Sequence, residues 1–150
     1  MNWPSIALAA DQADHSAHAG HGAAAAAPAK LTTLTPAEAA EIDAITNLIV
    51  PGGATPGARD IRVLYFIDNS LGSFFGAQLA SFRAGLAEFQ SGYAKKSGGT
   101  APFSAAPEAA QTAWLHEVDQ TPFFQACRRL TILGITSMPK YGGNFEGKGT

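Results

Sequence analysis

Leu79-Ala80-Ser81-Phe82-Arg83-Ala84-Gly85-Leu86-Ala87-Glu88-Phe89-Gln90-Ser91-Gly92-Tyr93 is the stretch on which the fold turns. Leu79, Phe82, Leu86, Phe89 and Tyr93 recur at alternating spacings of three and four, which places them on one stripe of an α-helix. Ser97-Gly98-Gly99 closes it. An aromatic stripe of this kind is far more often core than a cofactor box.

Upstream, Thr35-Pro36-Ala37-Glu38 has the form of a capping box with proline at the first helical position. Ile42, Ile45, Leu48 and Ile49 then share a face, and Pro51-Gly52-Gly53 ends the helix. A second helix carries Val63, Phe66, Ile67 and Leu71, with Gly72 as its stop. Ile61 to Ile67 is the one segment where a strand is conceivable, and its spacing fits a helix better. Downstream, Pro107 opens a helix through Asp119 whose inward side is Ala110, Trp114 and Val118. Thr121-Pro122 repeats the cap-plus-proline start for a last helix. Its face holds Phe123 or Phe124, then Cys127, Leu130, Thr131 and Gly134, where glycine within a helix points to close packing. Pro139 stops this helix and leads into Tyr141-Gly142-Gly143-Asn144. The expected fold is all-α, a small irregular bundle of about five helices over residues 31–150.

Hydrophobic residues make up 46% of the chain and charged residues 15%, against about a quarter charged in ordinary soluble domains. Either cover by another protein or an alanine-rich composition accounts for so few charges. The net charge is -2 and the cations are scattered, so there is no basic face for nucleic acid. Cys127 is the single cysteine, which excludes an internal disulfide and a zinc site built on several cysteines. No apolar run approaches the roughly 20 residues of a membrane span.

Residues 1–30 read as a signal remnant followed by a disordered Ala/His-rich linker. Ala7-Leu8-Ala9 has the small-x-small form of a signal-peptidase site, although the apolar stretch before it is short and no Lys or Arg precedes it. The expectation is a truncated signal, with chance in an alanine-rich segment as the competing account. His15, His18 and His21 recur every third residue, and a tract of this kind can bind metal. A flexible linker of weak metal affinity is the favoured reading, because no scaffold orients the rings.

No catalytic constellation emerges. Pro51 to Ala58 is rich in glycine but lacks the Gly-Lys-Ser/Thr ending of a phosphate loop and follows no strand. His116 and Asp119 share a helix face, which is a surface pair unless further ligands join them. Cys127 would serve as a nucleophile only with a base and an electropositive setting; mid-helix on an apolar face it reads as a small core residue. Asp60 and Asp68 lie eight apart, with nothing to hold a substrate between them. Arg128 and Arg129 form either a solvated face or a pair of partners for carboxylates on another protein.

Three features together resemble the gluconate 2-dehydrogenase subunit 3 family. They are Ile49-Val50-Pro51 followed by Pro56-Gly57-Ala58; the helix Val63-Leu64-Tyr65-Phe66-Ile67-Asp68 with Leu71 after it; and Phe123-Phe124 to Thr131, Gly134, then Met138-Pro139-Lys140-Tyr141-Gly142-Gly143-Asn144. The resemblance implies a small subunit without a redox cofactor of its own. It implies as partners a large FAD-binding subunit of the glucose-methanol-choline (GMC) oxidoreductase type and often a multihaem cytochrome c, which carries haem c. The complex would oxidise a sugar or sugar acid of the gluconate type on the periplasmic side of the inner membrane, with membrane association only through the complex. The small subunit commonly bears the twin-arginine (Tat) export signal.

This chain departs from the family pattern at Gly52-Gly53-Ala54-Thr55, where polar or acidic residues are usual. It also has no twin arginine at its front and stops at Lys148-Gly149-Thr150, short of a Gly-Trp segment, so both ends look clipped. Tyr141, Gly142, Gly143, Asn144 and Arg128 are the candidate partner contacts: the glycines permit close approach, Tyr141 offers rigid area and Asn144 paired hydrogen bonds. The competing reading is a turn that packs only on its own domain. A different class of function, a free-standing periplasmic metal-binding helical domain, would use His15, His18, His21 and His116.

Overall fold

The computed structural model describes residues 30–149; the signal remnant and the His15, His18 and His21 tract lie outside the described residues. Helix α1 spans Pro36–Ile49 and opens as its sequence requires. The Glu38 amide donates to Thr35 Oγ1 at 3.1 Å, and the Thr35 amide donates to Glu38 Oε1 at 2.9 Å. Two backbone donors that no helical carbonyl can reach are satisfied in this way. Ile42 and Ile45 are fully buried, while Leu48 and Ile49 are half-buried near the exit.

A four-residue turn of helix, α2 (Ala58–Ile61), precedes α3 (Val63–Leu71). Between them Arg62 takes the left-handed conformation, with φ 62° and ψ 42°. A non-glycine residue pays of order 1 kcal/mol or more for this. The break redirects the chain and lays the Arg62 guanidinium over the Phe145 ring, 3.7 Å from its centroid. Helix α4 (Leu79–Ser97) ends at Gly98, whose φ of 70° suits glycine. Its stripe is inward as expected, with Phe82, Leu86, Phe89 and Tyr93 buried and Leu79 half-buried. Helices α5 (Glu108–Val118) and α6 (Pro122–Thr136) complete an all-α fold of five longer helices and one short one. The described residues contain no strand.

The last helix is the centre of the arrangement. It packs on α3, α1, α4 and α2. Thr121 caps it by accepting from the Phe124 amide at 3.2 Å. Phe123, not Phe124, is the buried aromatic of its first turn. Its ring lies 5.2 Å from that of Phe82 and 5.5 Å from that of Phe89. Gly134 is buried where a Cβ would stand 3.2 Å from both Phe66 Cδ2 and Val63 Cγ1, so α6 and α3 approach closely there.

Helix α5 is turned by one residue from the expected face. Gln111 and Leu115 are buried, Trp114 and Val118 are half-buried, and Ala110 is exposed. Gln111 is inside because its Nε2 donates to the Phe103 carbonyl at 2.9 Å. That carbonyl belongs to a 3-10 turn, Phe103–Ala105, whose Phe103 ring packs on Phe89 and Tyr93.

Ion pairs tie the start of the fold together. Arg83 grips Glu38 with two bonds, Nε to Oε2 at 2.8 Å and Nη2 to Oε1 at 3.1 Å, and also donates to the Thr33 carbonyl at 2.9 Å. The Arg83 guanidinium holds the Glu38 carboxyl below its ordinary range. A depressed folded value means that this contribution is present above about pH 4.3, the usual glutamate value, and is lost as pH falls through the lower folded value. The acid limb of a stability-pH curve is therefore expected to flatten in Glu38→Gln. An unchanged slope below about pH 4 would refute the coupling.

Candidate functional site

The turn after α6 is built by proline and two unlike glycines. Thr136 is the last helical residue, and Ser137 is already extended ahead of Pro139. Pro139–Tyr141 makes a single 3-10 turn. Gly142 then takes φ 97°, in the left-handed half of backbone space. A Cβ there would stand 2.6 Å from Asn69 Nδ2 and 2.9 Å from the Tyr65 carbonyl oxygen. Gly143 is buried for a different reason. A Cβ there would overlap the Gly134 carbonyl oxygen and stand 2.8 Å from Ser137 Oγ and 3.0 Å from Phe66 Cβ. Asn144, 5% exposed, accepts from the Gly149 amide at 2.6 Å.

The expected contact residues therefore occupy different places. Gly142, Gly143 and Asn144 seat the turn on α3 and α6, and Tyr141 is the member that faces outward, at 42% exposure. Its ring meets Phe74 edge-on at 5.9 Å, and Lys140 Nζ lies 5.0 Å from its centroid. Asn69 Nδ2 donates to the Tyr141 carbonyl at 3.4 Å.

Around Tyr141 the surface is apolar. Phe74, Ile132, Leu133, Met138 and Tyr141 are the large hydrophobic side chains left exposed among the described residues. All but Ile132 line one groove of about 490 Å³, floored by Phe66 and Phe75. Ile132 lies next to Leu133 on α6. Phe74 is held upright by Phe75, whose ring centroid is 4.7 Å away, and by Phe66 at 6.3 Å. Apolar side chains gathered in one contiguous patch mark interaction sites far more often than scattered ones do. Phe74-Phe75 sit between helices and so belong to no helical stripe; two adjacent aromatics in a connecting segment of mostly small residues are their only signal in the sequence.

Arg128 lies on the exposed side of α6, one turn before Ile132. It lines a separate shallow cleft with Leu48, Ile49, His116, Asp119 and Phe124. His116 is exposed, and among the described residues no three His, Cys, Asp or Glu side chains gather as a metal site would require. Asp60 and Asp68 have separate structural duties. The first accepts from the Gly57 amide at 2.8 Å and caps α2. The second is fully buried and accepts from the amides of Thr32, Thr33 and Leu34 at 2.7, 2.9 and 2.7 Å, and from Thr32 Oγ1 at 3.0 Å. The Gly-rich loop closes on itself through Gly53 N to Thr55 O and Ala58 N to Val50 O.

Cys127 is wholly buried, and burial pushes its thiol far above the ordinary range. It is expected to resist a thiol reagent in the native chain and to react once per chain in denaturant. Rapid stoichiometric labelling of the folded chain would contradict this packing. No helix among the described residues is long and apolar enough to cross a membrane.

Neither the curated proteins nor the solved structures searched give a match to this chain. A family model, gluconate 2-dehydrogenase subunit 3, matches residues 36–148. The match begins at the first residue of α1 and runs through the Gly-Gly-Asn turn, taking in every helix described above. On that extent of agreement, the chain belongs to the gluconate 2-dehydrogenase subunit 3 family.

Proposed function

We propose that this chain is the non-catalytic small subunit of a FAD-dependent dehydrogenase acting on a sugar or sugar acid. It binds and stabilises the large flavoprotein subunit and accompanies it in export to the periplasm. FAD belongs to that GMC-type partner, haem c to a cytochrome subunit where one is present, and the inner membrane is reached only through the complex. The family match over residues 36–148 carries this reading. The exposed apolar surface around Tyr141 supports it, because such a surface is suited to burial against another protein.

The test is co-expression with the flavoprotein encoded beside this chain, purification through a tag on this chain, and an absorption spectrum. A flavin spectrum with dye-linked dehydrogenase activity is the expected outcome. A folded, colourless and inactive preparation would overturn the reading.

A further inference from the structure

The geometry points to the groove of Phe74, Leu133, Met138 and Tyr141, with Arg129 and Lys140 at its rim, as the seat of an apolar, carboxylate-bearing segment of the dehydrogenase subunit. This assignment rests on the accessory-subunit reading and names the surface and the chemistry of what fills it. The apolar part follows from exposure: Met138 is 63% exposed, Phe74 56% and Tyr141 42%, although each is in a region anchored to the core. The anchoring matters because side chains already held in place lose little freedom on binding. Tyr141 and Phe74 brace each other edge-to-face. Gly143, pressed against α6, fixes the turn that carries Tyr141 and Met138.

The charged part follows from the rim. Arg129 lies on α6 one turn before Ile132 and Leu133, and its Nη2 donates to Gln78 Oε1 at 3.3 Å. Gln78 is bonded in turn to the Phe75 carbonyl, which brings Arg129 to the Phe75 side of the groove. Lys140 stands over the ring of Tyr141, which lines the groove. Neither cation is in an ion pair among the described residues, and no carboxylate lines the groove. An apolar floor with two cations at its rim is complementary to an apolar segment that carries Asp or Glu.

The same charges argue against the other occupants. A second copy would meet this face across a two-fold axis, setting cations against cations. A lipid surface is usually bound through protruding apolar side chains with a cluster of about four to eight basic residues. Here the apolar surface is concave and the rim carries two cations.

The experiment measures binding of this chain to the purified flavoprotein subunit at several salt concentrations, with thermal melts of each variant. Leu133→Asp combined with Met138→Asp is expected to weaken binding by at least about thirty-fold, as loss of central interface anchors does. Arg129→Glu combined with Lys140→Glu is expected to weaken it and to flatten its salt dependence. Lys95→Glu is expected to bind as the wild type does. It sits near the far end of α4 from Gln78, about 25 Å away along the helix.

Folded variants that bind unchanged, beside a wild type that binds, would overturn the surface assignment alone. A wild type that fails to bind the flavoprotein would overturn the accessory reading itself. Two further measurements use the chain without flavoprotein: sedimentation with phosphatidylcholine-phosphatidylserine vesicles, and its own concentration-dependent self-association. Wild-type binding to vesicles, or dimerisation, that is abolished by the apolar variant while flavoprotein binding persists would give the groove to a membrane or to a second copy.

Discussion

Asp68→Ala is expected to lower the stability of the folded chain by about 3–4 kcal/mol, which corresponds to a fall of about 10 °C in Tm. The carboxylate is fully buried on α3 and accepts four hydrogen bonds from the segment that leads into α1. Bonds to a charged group contribute roughly 1.5–3 kcal/mol each, but they are not additive when one group serves all four. Truncation also leaves the Leu34 amide buried without an acceptor. Asp68→Asn, which keeps one acceptor oxygen and turns an NH₂ toward the amides, should lose about half as much. Chemical denaturation reads the total, and hydrogen exchange at the Thr33 and Leu34 amides reads whether the loss begins there. A fall of less than about 1 kcal/mol in Asp68→Ala would mean that water replaces the carboxylate at little cost.

Gly143→Trp is expected to abolish detectable assembly with the proposed flavoprotein partner while leaving most of the helical signal. Gly143 is buried, and even a methyl group there meets the Gly134 carbonyl and Ser137 Oγ. An indole cannot be placed, so the turn must lift from α6. Overpacking of this kind costs about 3 kcal/mol or more where backbone blocks relaxation. The turn can detach without unfolding the core, because Leu130, Cys127 and Phe123 hold α6 from further along. Tyr141 and Met138 would then lose their positions with their own chemistry intact. Circular dichroism and pull-down of the same preparation make the comparison. A helical variant that still assembles would show that the turn's seating is irrelevant to the partner. Tyr141→Ser is the companion: it removes contact area from a seated turn, so binding should fall while stability drops by only about 0.5–1.5 kcal/mol, the contribution of its ring pair with Phe74.

What the sequence disclosed was periodic or punctuated. The Thr35-Glu38 box, the Thr121 cap, the stripe on α4 and the close approach at Gly134 all stand where spacing and residue chemistry put them. What it hid was decided by single polar contacts between distant segments. The roll of α5 depends on Gln111 reaching the Phe103 carbonyl, and counting apolar residues assigns a glutamine to the outside. The break at Arg62 has no glycine or proline to announce it, and its guanidinium ends on Phe145, far along the chain. Asp68 has no role that spacing discloses, because its work is to receive amides from residues 34 to 36 positions earlier. The candidate contact motif was visible, but not its division of labour. Tyr141 faces out and Gly143 and Asn144 face in, and only tertiary packing makes that distinction.

The central position of α6 joins assembly to survival of the chain. The helix whose outer side bears Ile132 and Leu133 is the one that packs on α1, α2, α3 and α4. A partner gripping that outer side therefore holds the element on which the others depend. Binding confined to the folded form adds about 2.7 kcal/mol at a hundredfold excess over Kd. A copy made without its partner would forgo that increment and spend more of its time in the unfolded form that proteases cut. Surplus subunits would thus be cleared, and the ratio of small to large subunit would be kept by degradation as well as by synthesis.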